Sequence, residues 1–203
     1  MSKKSKKKKY ELPDREQLQR ELKRVKHNSR FRKLMRSTVY TLIVVAACAV
    51  LTAVIFLPVL RIYGSSMEPT LNEGEIVVSI KGGGSHIKQG DIVGVYYGNK
   101  VLVKRCIATE YQWVDIDEEG NVFVDGKKLD EPYVYEKDFG QTDIKLPYQV
   151  PDDTIFVMGD HRKTSVDSRN TSVGCIKTED VVGRIVFRVW PFEEFGFIET
   201  QDP

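Results

Sequence analysis

The sequence predicts a mostly β domain of antiparallel strands, folded as a sandwich or partial barrel and preceded by a single transmembrane helix. Two observations carry this prediction. Residues 37–60 form one uncharged apolar run, and the chain beyond it consists of short β-type segments separated by glycine-containing turns, with no long amphipathic helix. The expected organisation is a basic tail over residues 1–36, a membrane helix over 37–60 and an extracytoplasmic β-rich domain over 61–203.

The uncharged run is long enough to cross a bilayer, because about 20 helical residues span roughly 30 Å of hydrocarbon. A buried core helix would carry a polar face, and a cleaved signal peptide has a shorter apolar segment. Residues 1–36 carry a net charge of +11 and the remainder −9. The positive-inside rule then puts the tail in the cytoplasm and residues 61–203 outside it, and it makes nucleic-acid binding by the tail the weaker interpretation.

Seven segments have the alternation and β-branched content of strands. They are residues 75–80, 91–97, 101–108, 111–116, 121–124, 154–158 and 181–189. Residues 130–153 are polar and contain prolines, which predicts a long excursion between strands. Trp190, Phe192 and Phe195 end the domain with apolar bulk, which either packs in the core or rests at a membrane interface.

Ser65 and Ser66 lie in an irregular segment, residues 63–71, shortly after the apolar run. Two hydroxyls that follow a glycine and precede a proline suit a fixed turn that holds a nucleophile. A serine hydroxyl is a weak nucleophile and needs a neighbouring base. His86 and His161 leave a Ser-His-Asp arrangement open, although nothing in the sequence brings either of them near Ser66.

Lys104 is the other candidate base. Strand alternation puts its side chain on the same face as Leu102 and Cys106, whereas Arg105 points the other way. Burial on an apolar face disfavours the charged form of lysine, and the resulting neutral amine is a competent base. The alternative is a lysine of an edge strand that reaches water or joins a structural ion pair.

Residues 159–169 follow a predicted strand and combine hydroxyl, carboxylate and arginine side chains, which suits a hydrogen-bonded network. With this loop, the chain resembles the bacterial type I signal peptidases (leader peptidases, peptidase family S26), membrane-bound Ser-Lys endopeptidases, in their Gram-positive branch. The resemblance lies in Ser66-Met67-x-Pro69-Thr70-Leu71, Asp91-Ile92-Val93, Lys104-Arg105, Gly159-Asp160-x-Arg162-x-x-Ser165-x-Asp167-Ser168-Arg169, Val182-Gly183-Arg184 and Trp190-Pro191-Phe192, in that order.

The resemblance implies a serine endopeptidase in which Ser66 is the nucleophile and Lys104 the general base. Ser165 would orient the Lys104 amine, and the backbone N–H of Ser66 would donate to the oxyanion. Some family members carry a serine two residues before the nucleophile as a second donor. This chain has Gly64 there, which leaves Ser65, water or the backbone alone to support the oxyanion.

Further residues match the family by position. Two framing ion pairs are implied, Arg105 with Asp160 and Asp167 with Arg169. Substrate pockets for small side chains would be walled by Ile62, Met67 and Val103, although core packing would use the same residues. His161 stands where the family more often has asparagine, which adds a titrating group.

The resemblance implies cleavage of A-x-A-like sites in secretory precursor proteins, with the lipid bilayer and the translocation machinery as further partners and no cofactor, metal or nucleic acid. The spacing of Cys106 and Cys175 resembles no zinc motif, and the two could pair or serve as small hydrophobes. Two other classes stay open: a self-cleaving, repressor-like Ser-Lys protease, and a silent membrane β-domain that binds partners.

Overall fold

The computed structural model describes residues 14–82 and 87–198. Helix α1 runs from Arg15 to Phe56 and is, by length and composition, the one helix of the described residues that could cross a membrane. Its uncharged residues 37–56 measure about 30 Å at 1.5 Å per residue. The helix ends at Phe56 rather than at residue 60, because Pro58 lacks an N–H donor and disfavours helical geometry in the residue before it.

The described chain after α1 is antiparallel β, and the predicted fold class is confirmed. The strands are β1 (Val59–Arg61), β2 (Ile76–Ile80), β3 (Ile92–Tyr97), β4 (Lys100–Ala108), β5 (Trp113–Ile116), β6 (Val122–Val124), β7 (Lys127–Lys128), β8 (Tyr148–Gln149), β9 (Thr154–Met158), β10 (Ile176–Lys177), β11 (Val181–Trp190) and β12 (Gly196–Phe197). Short 3-10 helices at Thr178–Asp180 and Phe192–Glu194 flank β11. Each of the seven predicted segments overlaps one of these strands, and the strands at 101–108 and 181–189 are each one residue longer than predicted.

The strands form two sheets within the described residues. The larger has the order β1-β2-β11-β3-β4-β9-β10, with β12 added to β11, and the smaller has the order β7-β6-β5-β8. β11 comes late in the sequence but lies inside the larger sheet, between β2 and β3. Strand β4 pairs with β3 on one side and β9 on the other, so it is a central strand rather than an edge.

The core explains why both faces of β4 are buried. One cluster joins the two sheets, with Ile107 and Phe156 of the larger sheet against Val114 and Val124 of the smaller. A second cluster contains Cys106 and other side chains from the opposite face of the larger sheet. Lys104 is the first residue of the buried half of this strand, so its side chain has little access to water.

A third cluster supports the segment between β1 and β2. Met67 and Leu71 of that segment pack with Ile62, Val77 and Ile185. Two apolar anchors on either side of a polar turn fix the backbone between them. The two cysteines of the β domain are free thiols that pack in different clusters, Cys106 in the second and Cys175 against the first.

Candidate active site

Ser66 lies in a segment that the core holds on both sides, by Ile62 before it and by Met67 and Leu71 after it. Met67 and Leu71 are buried, the Leu71 N–H donates to the Met67 carbonyl at 2.9 Å, and the Glu68 N–H donates to the Ser65 carbonyl at 3.1 Å. Ser66 itself is only half-buried. Fixed backbone with a partly accessible hydroxyl is the arrangement that a positioned nucleophile needs.

Three hydrogen bonds tie this turn to distant strands and loops. The Ser66 carbonyl accepts from the backbone N–H of His161 at 3.1 Å, and Thr70 Oγ1 donates to Asp160 Oδ2 at 2.5 Å. From β11, Arg188 Nη2 donates to the Thr70 carbonyl at 2.6 Å. The turn is therefore held by residues ninety or more positions away in sequence.

Gly159 is the point where the turn meets the loop 159–169. A Cβ atom at this glycine would lie 2.3 Å from Ser165 Oγ and 2.4 Å from the Ser66 carbonyl oxygen. Real Cβ atoms essentially never approach other atoms so closely. The absence of a side chain at residue 159 is thus what allows the backbone of Ser66 and the hydroxyl of Ser165 to lie against the same position.

Lys104 contributes a buried amine to this region. Its residue exposure is 3%, and Nζ donates to Ser165 Oγ at 2.9 Å. Burial lowers the pKa of Lys104 from 10.5 to about 8, an effect that Asp167 and Asp160 oppose and Arg169 reinforces. A substantial share of the amine is therefore neutral at mildly alkaline pH.

The neutral amine has two N–H donors and one lone pair. One N–H is committed to Ser165, which restricts where the lone pair can point. Lys104 and Ser66 both belong to the described residues, and there is no hydrogen bond between their side chains in this state. Catalytic hydrogen bonds are often long or misaligned without substrate and tighten only in the complex.

The Ser165 hydroxyl is held by a buried carboxylate. Asp167 accepts from Arg169 Nε at 2.8 Å and Nη2 at 2.9 Å, and from the Gly159 N–H at 3.0 Å. Burial raises the pKa of Asp167, but the hydrogen bonds from Arg169, Ser165 and Gly159 outweigh it and hold that pKa below its usual range. The carboxylate stays charged and keeps the loop closed around Ser165.

Arg105 and Asp160 form a second buried ion pair. Arg105 Nε lies 2.9 Å from Asp160 Oδ1, and Nη2 lies 2.7 Å from Oδ2, a bidentate pairing. Arg105 also donates to the Gly90 carbonyl at 2.9 Å. Both side chains are buried, with exposed fractions of 1% for Arg105 and 0% for Asp160. The pair links β4, which carries Lys104, to the first residues of the loop.

The remaining residues expected from the sequence are distributed differently. Ile62 and Met67 are buried in the third cluster, which leaves Val103, half-buried beside them, as the more accessible of the three. Ser65 is half-buried. The His161 ring lies with Nδ1 4.0 Å from Glu68 Oε2, and His86 lies outside the described residues. Among the described hydrogen bonds, none joins the His161 ring to Ser66.

Sequence reasoning missed Glu131 and Tyr133 and assigned no role to Arg162. Glu131 and Arg162 form a fully buried ion pair, and the Tyr133 ring lies under Arg105. Arg162 belongs to the signature loop and was within reach of sequence reasoning. Glu131 and Tyr133 belong to a polar, proline-bearing stretch in which no pattern distinguishes buried from exposed residues.

A β domain with a serine in a fixed turn, a buried amine and framing carboxylates has the parts of a serine hydrolase. The family model for signal peptidase, peptidase S26, matches residues 34–190. The chain is 34% identical over 169 residues to signal peptidase I of Bacillus caldolyticus, covering 75% of this chain and 91% of the relative. It is 36% identical over 157 residues to signal peptidase IB of Staphylococcus aureus, covering 67% and 79%.

The chain belongs to the signal peptidase family, peptidase S26, and is a serine peptidase. A solved signal peptidase I from Enterococcus faecalis superposes with a TM-score of 0.42 at 22% identity, over 49% of this chain and 97% of that one. The family assignment rests on the sequence matches and not on this superposition.

Proposed function

We propose that this chain is a membrane-anchored endopeptidase that removes signal peptides from secretory precursors, with Ser66 as nucleophile and Lys104 as general base. The observation that carries the proposal is the buried Lys104 amine, bonded to Ser165 at 2.9 Å, where Ser165 and Ser66 pack against the same glycine. Family membership supports the reaction class, since the relatives are signal peptidases.

The proposed reaction begins with proton transfer from Ser66 Oγ to the neutral Lys104 amine as the hydroxyl attacks the scissile carbonyl. The lysine then gives this proton to the leaving amine, and an acyl-enzyme forms on Ser66. The amine that leaves is the new amino terminus of the mature protein. Water, deprotonated by the same lysine amine, then hydrolyses the acyl-enzyme and releases the signal peptide with a free carboxyl terminus, and the proton returns to Ser66 Oγ. Ser165 acts as the orienting group, the part that a third residue plays in a triad.

The oxyanion in this scheme accepts from the backbone N–H of Ser66. Gly64 has φ of +78° and no side chain, so it offers no hydroxyl as a second donor. Ser65 is half-buried next to the nucleophile and is the nearest hydroxyl in sequence that could assist. Two cysteine thiols do not compete as nucleophiles, because burial raises the pKa of both Cys106 and Cys175 and keeps them protonated.

Membrane anchoring by α1 follows from its uncharged residues 37–56 and the basic residues before them. The amino terminus would be cytoplasmic and the β domain extracytoplasmic. Only residues 57–65 separate α1 from Ser66 in the sequence. Exposed Trp190, Phe192 and Phe195 at the end of β11 are suited to the bilayer interface. The translocation machinery is the further partner that this location implies.

The decisive experiment is incubation of the purified protein, in detergent, with a precursor that carries an A-x-A site. We expect a single cut after the second alanine, identified by mass spectrometry, and none with Ser66→Ala. Ser65→Ala is the matched control and should retain measurable cleavage, because it keeps the Ser66 hydroxyl and the backbone donor, and loss of one oxyanion donor costs at most about 10²–10³ in kcat. Processing only of the chain itself would favour a self-cleaving protease, and no processing would favour a scaffold.

The pH dependence of the reaction tests the base. Lys104 must be neutral to accept the Ser66 proton, and burial lowers its pKa to about 8. We therefore expect kcat/KM to rise about tenfold per pH unit below pH 8 and to level off above it. The measurement is cleavage of a short precursor peptide between pH 6 and 10. A midpoint near 6.5, the ordinary value for histidine, would contradict a lysine base.

A further inference from the structure

The polar excursion before β8 inserts a charged residue into the interior of the domain. Glu131 accepts from Arg162 Nη2 at 2.6 Å and from Nη1 at 3.3 Å, and neither side chain is exposed to solvent. The Tyr133 hydroxyl donates to the same carboxylate at 3.2 Å. Burial raises the pKa of Tyr133, so the phenol remains a donor. Three hydrogen bonds from two side chains fix Glu131 in place.

Arg162 links Glu131 to the loop that carries Ser165. Its Nε donates to the Gly159 carbonyl at 3.1 Å, and its own carbonyl accepts from Arg169 Nη2 at 2.8 Å. Gly159 is the residue against which Ser66 and Ser165 pack. The guanidinium of Arg162 thus connects Glu131 directly to the backbone that sets the spacing of these two hydroxyl-bearing residues.

Tyr133 reaches the same loop by a second route. The Arg105 guanidinium carbon lies 3.8 Å from the centroid of the Tyr133 ring, well within cation–π range. Arg105 in turn holds Asp160 through its bidentate pair. The excursion also meets the end of the loop, because Arg169 Nη1 donates to the carbonyls of Asp138 and Phe139, each at 3.2 Å. One segment therefore contacts all three arginines around the site.

We propose that Glu131 and Tyr133 are positioning residues for peptide-bond cleavage, which hold the loop 159–169 at the distance that lets Ser165 orient the Lys104 amine toward Ser66. This inference rests on the proposed function for the identity of the nucleophile and base. Neither residue touches the reacting atoms. They act through Arg162 on Gly159 and through Arg105 on Asp160.

Energetics favour a positioning role over a contribution to stability alone. Burying two charges is costly because both lose their hydration, and well-packed apolar residues often stabilise a core as much or more. The Glu131–Arg162 pair is directional, so it fixes one arrangement of the loop 159–169. The second argument is geometric, since Arg162 of this pair donates to the carbonyl of Gly159, the residue against which Ser66 and Ser165 pack.

The test compares Glu131→Gln and Tyr133→Leu with matched exposed controls two to five positions away, Glu136→Gln and Tyr135→Leu. Glu136 is exposed and Tyr135 is 89% exposed. We expect both test variants to lose at least about tenfold in kcat on the precursor with KM within about twofold, and both controls to match wild type. Tyr133→Phe keeps the ring over Arg105 and should recover most of the activity that Tyr133→Leu loses.

The pH profile separates positioning from folding. Burial is the largest cause of the low pKa of Lys104, with Asp167, Asp160 and Arg169 as the charges that face it. A loosened loop admits water, so the midpoint of kcat/KM should move to higher pH in both test variants. A purely structural role would lower the amount of folded enzyme, measured by circular dichroism, and leave the midpoint unchanged.

A readout without turnover keeps this test distinct from that of the proposed function. Trace acetylation of Lys104, followed by mass spectrometry across pH, reports the ionisation of its amine whether or not a precursor is cleaved. A wild-type protein that cleaves nothing would contradict the proposed function, while a shifted acetylation midpoint in the test variants would still support positioning. Unchanged kcat and an unchanged midpoint in Tyr133→Leu, which keeps the ion pair and should fold, would overturn the inference.

Discussion

Lys104→Met should lower kcat/KM for precursor cleavage by at least about 10³-fold while it makes the protein more stable at pH 7. Methionine fills nearly the same volume but cannot accept the proton that the proposed reaction transfers from Ser66. Loss of one member of a nucleophile–base unit removes most of the catalysis that the unit supplies. The measurements are single-turnover cleavage and thermal or denaturant unfolding of the same preparation.

The stabilisation follows from the burial of the amine. The pKa of Lys104 falls from 10.5 to about 8 on folding, so the charged lysine disfavours the folded state by about 3 kcal/mol at pH 7. This cost is fully present below pH 8, where the lysine is charged in both states. It declines between pH 8 and 10.5, where the buried amine is already neutral, and it vanishes above pH 10.5, where the lysine is neutral in both states. The methionine variant removes it, so the gain should reach up to about 3 kcal/mol at pH 7 and shrink as pH rises.

Lys100→Met is the matched control, because Lys100 begins the same strand but is exposed. It should leave activity unchanged and shift the free energy of unfolding by less than about 0.5 kcal/mol. Retention of more than a hundredth of the activity in Lys104→Met would rule out Lys104 as the base. A stability difference that does not vary between pH 7 and 10.5 would contradict the buried, titrating amine.

Gly159→Ala should be nearly as damaging to activity. The new methyl group would lie 2.3 Å from Ser165 Oγ and 2.4 Å from the Ser66 carbonyl oxygen, and neither is the free end of a long flexible side chain. Overpacking of this kind costs about 1–3 kcal/mol of stability. A displacement of about 1 Å between reacting groups can cost about 10² in rate, so we expect at least that loss in kcat.

The control for this substitution is Gly196→Ala in β12. A Cβ at Gly196 meets nothing within 4 Å, so the change should be tolerated in both stability and activity. Cleavage kinetics and unfolding midpoints of the two variants give the comparison. If Gly159→Ala cleaved a precursor at the wild-type rate, the close packing of Ser66 and Ser165 on this residue could not be important for catalysis.

The long strands could be predicted from the sequence because alternation of β-branched residues is a local signal. β2, β3 and β9 fall within predicted segments, and β4 and β11 each extend one residue beyond theirs. The short strands β1, β7, β8, β10 and β12 were not predicted, since two or three residues carry no period and become strands only through a neighbour. The end of α1 was placed too late, because the uncharged run continues past Pro58 into β1.

For the candidate site too, local patterns in the sequence predicted some residues and could not predict others. Alternation indicated a buried face for Lys104, and the structure buries it in a central strand. The choice between Ser65 and Ser66 needed the resemblance to a family, because two adjacent hydroxyls are equivalent to any local rule. Glu131 could not be found at all, since its burial results from an arginine thirty-one positions later and from packing of the whole loop.

The position of β11 constrains when the site can exist during synthesis. β11 fills the gap between β2 and β3, and its Arg188 bonds the carbonyl of Thr70 in the nucleophile turn. When the ribosome has made residues 1–180, the chain already contains Ser66, Lys104 and Ser165. It still lacks β11, the strand that joins β2 to β3 in the larger sheet. We therefore expect a nascent chain that lacks β11 to be inactive, and we expect activity to appear only once this last long strand has been added.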